Sequence, residues 1–135
     1  MFFDAMGRIL LRAGEVLRTD VRGEIDDGYL RQQVDAIALI VGEVGAAWSE
    51  LFATLEAENA VLERTLGAAG SSGDPLAHNA TLLAAVDRAI TGLHERGDTD
   101  GLRSVREGLA EAAELERGML ARARRQSGMA AVRRL

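Results

Sequence analysis

The chain reads as an all-α protein, an antiparallel four-helix bundle with a long and possibly kinked second helix, on three observations. Residues Tyr29 to Leu66 run without a proline and place Leu30, Val34, Ile37, Val41, Val44, Trp48, Leu51, Leu55, Leu62 and Leu66 at steps of three, four and seven. That spacing follows one face of a 3.6-residue helix, and unbroken it would reach roughly 57 Å. The second observation is composition: 47% of the 135 residues are apolar but only 4% aromatic, which suits closely packed helices filled by Leu, Val, Ile and Ala. The third is punctuation, because turn formers cluster at only three places along the chain.

Each element follows from its own residues. Phe3, Met6, Leu10, Ala13, Leu17 and Val21 keep helical spacing, widened by Phe2, Ile9 and Val16, so a first helix is expected over Phe3 to Arg22. Gly23, Asp26, Asp27 and Gly28 interrupt it, and Asp26 or Asp27 supplies an N-cap for the long helix. Inside that helix Gly42 and Gly45 cost roughly 1 kcal/mol each relative to alanine, which marks either a kink or a close helix crossing. Gly67 to Asp74 is the one clear linker, and Asp74-Pro75 reads as N-cap and N1 of a third helix that Gly97 stops. Leu76, Ala80, Leu83, Val86, Ile90 and Leu93 form its expected buried face. Leu102, Val105, Leu109, Ala112, Met119, Leu120 and Ala123 define a fourth helix, antiparallel to the third because the connection is short. The expected organisation is one domain over residues 1–126 followed by a basic, flexible tail over 127–135.

Several chemistries are excluded. There is no cysteine, hence no disulfide, thiolate nucleophile or Cys-ligated metal. All 16 basic residues are arginine, so Schiff-base catalysis and a P-loop lysine are impossible. No Glu-x-x-His pair and no G-x-S-x-G occurs, and His78 and His94 lie about 160° apart on their helix. Catalytic residues, cofactor and metal are therefore all expected to be absent. Asp4, Arg8 and Arg12 interrupt any secretory h-region, and the longest uncharged stretch, Pro75 to Val86, falls short of the ~20 residues that cross a bilayer. The expectation is a soluble, cytoplasmic chain without a transmembrane segment.

Three groups of residues remain as candidate sites. Val41, Val44, Trp48, Leu51 and Leu55 are the expected interface, since so long a stripe needs a partner and a C2 homodimer is the commonest way to supply one. Asp87, Thr91, His94 and Asp98 form the best polar row for a cation or an acid–base pair, against the plainer reading of a solvated flank. Glu58 and Glu116 fall near the apolar phase of their helices, where a partner arginine or an exposed rim is the simpler account. From Arg117 onward there are six arginines and no acid, a split of +6 against −11 for the rest. Arg122, Arg124, Arg125, Arg133 and Arg134 are thus candidate anion contacts, on a neighbouring subunit or an anionic surface. Nucleic acid is disfavoured by the lack of aromatics in the tail and by the acidic remainder.

The segment from Leu30 to Val44, together with Leu66-Gly67 and the stretch from Ile90 to Asp98, resembles a small all-helical family of unknown function. Its members tend to be encoded beside acyl-CoA dehydrogenases and aminoglycoside-phosphotransferase-like kinases. The resemblance spans Val16 to Leu109 and departs from the family pattern at Ile37, at Gly42 and in the missing Asn-Pro close. It implies a helical accessory protein and carries over no catalytic residue. The function expected from these readings is a non-enzymatic helical accessory or interaction module acting as a homodimer, with an unidentified protein partner. The alternative is a small-molecule, acyl-CoA-like binder or enzyme with a cavity between helices.

Overall fold

The computed structural model describes residues 2–70 and 73–132, with side chains described over 5–70 and 73–128. The fold is all-α: α1 is Phe2–Val16, continued by a π-helical stretch Leu17–Val21, and α2 (Gly28–Leu66), α3 (Pro75–Glu95) and α4 (Thr99–Val132) follow. Among the described residues there is no strand. The chain divides into two compact units: residues 1–51 with 119–135, and residues 52–118. Helix α4 extends to Val132, so residues 127–132 are helical, with Ser127 buried.

The helix ends follow from short-range chemistry. Asp27 caps α2, its carboxylate accepting from the Leu30 N–H at 2.9 Å, and Asp74 caps α3 by accepting from the Leu76 N–H at 3.0 Å with Pro75 at N1. Gly67 and Gly97 sit at φ +63° and +64° just past α2 and α3. At both ends the next N–H returns to a carbonyl five residues back, Ala68 to Glu63 and Asp98 to Leu93, each at 2.9 Å. A left-handed residue is what this closure requires, and glycine adopts it without a Cβ penalty.

In the first unit, helix α1 crosses α2 by backbone contact. A Cβ on Gly45 would lie 2.7 Å from the Leu11 nitrogen and 2.9 Å from the Gly7 oxygen, and one on Gly14 would lie 2.9 Å from the Ala38 oxygen. Gly42 and Gly45 therefore mark a close crossing, and α2 continues through both without a break. The buried residues of α1 are Gly7 and Gly14, one residue out of phase with the expected stripe, whose Met6 and Leu10 are half-buried like Leu11, because backbone-to-backbone approach takes the glycine face. Ala46 and Ala47 meet Ala123 of α4, with Leu11 and Met119 closing over them.

The second unit has a conventional aliphatic core. Val61 and Leu62 of α2 pack with Leu82 and Val86 of α3 and with Val105 and Ala112 of α4, and Leu62 is fully buried. Leu66, Ile90, Leu93, Leu109 and Leu115 surround them. The buried residues of α3 are Leu82 and Val86, and of the face expected inside Val86 is buried, Ile90 and Leu93 are half-buried, and Leu76, Ala80 and Leu83 are exposed. The shift puts Asn79 on the inward side, where it bonds Asn59. Gly108 of α4 lies where any Cβ would collide with the Thr65 side chain, so α2 and α4 also approach closely here.

The two glycines of α2 differ sharply in what surrounds them, which makes them a direct test of the crossing. Gly42→Ala places its Cβ 4.0 Å from the Ser127 Cβ, an ordinary contact, and gains up to about 1 kcal/mol of helix propensity. Gly45→Ala forces backbone apart and loses about 1–3 kcal/mol. Calorimetric Tm values should rank Gly42→Ala above the wild type and Gly45→Ala below it; equal values for the two variants would contradict a glycine-mediated crossing.

Candidate functional site

The densest polar cluster lies in the second unit, where α2 presents Glu58, Asn59 and Glu63 at one end of α3. Asn59 is buried, and its amide donates to the Pro75 carbonyl at 2.9 Å while its own oxygen accepts from the Asn79 amide at 2.9 Å. Asn79 also hydrogen-bonds Glu58, which in turn shares a hydrogen bond with Glu116 of α4. Beside this chain of contacts the His78 ring nitrogen lies 2.6 Å from Glu63. An open cleft of about 520 Å³ runs over Glu56, Asn59, Glu63, Pro75 and His78.

The electrostatics follow from that packing. Partial burial of Glu58 disfavours its charged form, the facing Glu116 carboxylate adds repulsion and a shared hydrogen bond, and together they outweigh the Asn79 amide, so its pKa is raised. Glu58 retains its proton to higher pH than an isolated glutamate would. A partner arginine or an exposed rim is expected for both glutamates: Glu116 is exposed, and half-buried Glu58 meets the Glu116 carboxyl group.

The other candidate residues are dispersed. Thr91 donates its hydroxyl to the backbone carbonyl of Asp87, and Asp98 lies beyond the end of α3, where it accepts from the Gly101 N–H at 2.9 Å near the start of α4. His94 is exposed in the last turn of α3, so the polar row closes around no common point. Among the described residues no group of three His, Asp or Glu side chains is placed to hold a metal ion. Buried side-chain polar atoms among them all have partners.

In the first unit, Arg122 bonds Glu50 at 2.6 Å and Arg124 bonds Glu43 at 3.1 Å, so two of the arginines expected to face a separate anion pair with α2 instead. Arg125 is exposed, and Arg133 and Arg134 lie outside the described residues. A second open cleft, of about 550 Å³, lies beside these pairs over Arg18, Asp35, Leu39, Glu43, Arg124 and Ser127. Of the expected interface residues, Val44 is exposed and Val41, Trp48, Leu51 and Leu55 are half-buried. The more exposed residues are Leu30, Ile37 and Ile40, with Ile40 at 62%. Leu30 and Ile37 belong to the stripe expected to need a partner, whereas Ile40 lies outside it.

Helix α2 is the one helix among the described residues long and apolar enough to cross a membrane, and only 28% of its most apolar window is buried. The expectation of no transmembrane segment rested on uncharged stretches alone, and this window is interrupted by charge. No protein-family model, no curated protein and no solved structure matches the chain.

The carboxyl pair yields a pH prediction. A native pKa above the unfolded one means the native state binds more protons across that interval, so Glu58 contributes stability below the ordinary glutamate pKa and loses it as pH rises through the raised one. Glu58→Gln cannot ionise, can donate to Glu116 and can still accept from Asn79. Its Tm relative to the wild type should climb by a few degrees between pH 4 and pH 8; a constant difference across that range would show that the Glu58 pKa is not raised in the folded protein.

Proposed function

We propose that the protein is a non-enzymatic helical accessory module, cytoplasmic, that works through protein contacts as a homodimer. The observation that carries this reading is the set of large apolar side chains standing exposed along one face of the first half of α2, Leu30, Ile37, Ile40 and Val44. Exposed apolar residues scattered singly are ordinary, but a contiguous set on one rigid helix marks an interaction surface. Charged groups point the same way, because several of them pair within the chain: Arg122 with Glu50, Arg124 with Glu43, Arg64 with Glu111 and His78 with Glu63. What the surface offers a partner is apolar area more than a poised acid, base or nucleophile.

A ligand cavity between helices has less support. An acyl chain needs an enclosed, mostly apolar pocket. The two clefts are open to solvent, and charged side chains line each, Glu56 and Glu63 in one and Arg18, Asp35, Glu43 and Arg124 in the other.

Size-exclusion chromatography with light scattering tests the homodimer. A mass of twice 14.4 kDa at micromolar concentration is expected, and a monomer throughout the micromolar range would overturn the reading.

A further inference from the structure

We infer that a second copy of this chain packs along the face of α2 formed by Leu30, Gln33, Ile37, Ile40, Val44 and Leu51, an inference that rests on the homodimer reading and specifies its interface. The steps between these residues are three, four, three, four and seven, and Ala47, at the three-residue step inside the last, is buried within the protomer. Alternation of three and four is the spacing of a seam between two supercoiled helices, narrower than the stripe that packs a helix into a globular core. Helix α2 is continuous over the whole stretch. Leu30 is 52% exposed, Ile37 51%, Ile40 62% and Val44 40%, with Gln33 also exposed and Leu51 half-buried.

Over the stretch from Leu30 to Val44, α1 and α4 bound this face on its two sides. Gly45, at the α1 crossing, is five residues and thus about 140° from Ile40. Ala46, at the α4 contact, is six residues and about 120° from Ile40 on the other side. Ala47, seven residues on from Ile40, is already buried against Ala123, and Trp48 lies against Gly7 of α1, so the open part of the seam is the stretch from Leu30 to Val44.

Three arguments name a second copy as the occupant. A two-fold interface is built from the same patch twice, and one helix whose seam repeats every seven residues is complementary to itself. The area is right: covering these side chains and Tyr29 would bury on the order of 600 Å² per protomer, or roughly 1,200 Å² in all, at the lower bound of stable interfaces. The edge of the seam is already neutralised, because Glu43 and Glu50, seven residues apart beside it, are held by Arg124 and Arg122. Carboxylates paired in this way can approach a dehydrated interface without being left as lone buried charges.

A lipid surface fits less well. Helices that lie on membranes carry Lys and Arg on their polar face, whereas α2 has two arginines against six acids, and the chain carries a net charge of −5. The single amide of Gln33 within the seam sets alignment at some cost in affinity, as polar seam residues do.

The chain has no cysteine, so single-cysteine variants report one contact each. Under mild oxidation Ile40→Cys should form a disulfide-linked dimer, while Ser49→Cys, nine residues on and therefore about 180° around the same helix, should stay monomeric on a non-reducing gel. Ile40→Glu should weaken the dimer at least about tenfold by light scattering while its helical circular dichroism is kept, since Ile40 is mostly exposed in the protomer. A dimer by light scattering in which Ile40→Cys does not cross-link and Ile40→Glu changes nothing would place the contact elsewhere, overturning this interface and sparing the homodimer reading. A monomer for every variant would overturn both. Monomers that sediment with phosphatidylglycerol vesicles, but not once Ile40 is glutamate, would assign the face to lipid and overturn the second copy.

Discussion

The contact on which the first unit depends is the one between bare backbones at Gly7, Gly14 and Gly45. A helix pair this close has room for no Cβ at the crossing, which commits that side of α2 to α1 and to nothing else. The other inward positions of the same unit are correspondingly small: Ala38, Gly42, Ala46 and Ala47. The large side chains of this stretch of α2, unable to enter so tight a space, are turned outward. Exposure of Ile37, Ile40 and Val44 is therefore a consequence of how α1 packs, and no separate cause is needed.

The two units thus achieve stability by different means. Unit two buries Val61, Leu62, Leu82, Val86 and Val105, and gains from removing branched aliphatic area from water. The first unit buries mainly alanine and glycine, which remove little area, so its gain comes from dense dispersion contact at short interhelical distance. Contact of that kind is sensitive to a single added carbon. It also leaves most of the unit's apolar area available, and the same sequence economy that makes the crossing close makes the outer face greasy.

These relations decide what could be read from the residues alone. Helix class and helix ends were legible because they rest on local chemistry: Asp27 and Asp74 as caps, Pro75 at N1, Gly67 and Gly97 past the ends. Burial phase was harder. On α1 the expected line through Met6, Leu10 and Ala13 missed the buried Gly7 and Gly14, because counting apolar side chains gives no weight to a residue whose contribution is having none. The seven-residue spacing of Gly7 and Gly14, set against Gly42 and Gly45, was the available signal. On α3 the same counting chose Leu83 over Leu82, since it could not see that Asn79 would be drawn inward by Asn59. The Glu58–Glu116 contact was equally hidden: it joins residues 58 apart in sequence, and charge rules favour an arginine partner that the fold does not supply.

The arginine-rich end of α4 carries the same lesson into function. Read in isolation, a run with six arginines and no acid invites an external anion. In the folded chain, Arg122 and Arg124 lie against Glu50 and Glu43, so part of the charge asymmetry is resolved internally. Exposed ion pairs of this kind contribute little stability, typically under about 1 kcal/mol each. Their larger effect is geometric, because they hold α4 along one edge of α2 and neutralise two carboxylates that would otherwise border its apolar face. A partner approaching that face then meets hydrocarbon flanked by paired charge, a surface that rewards shape and spacing. Specificity for such a surface must come from the interval between side chains along α2, which is why its repeat says more about the partner than any ionisable residue in the chain.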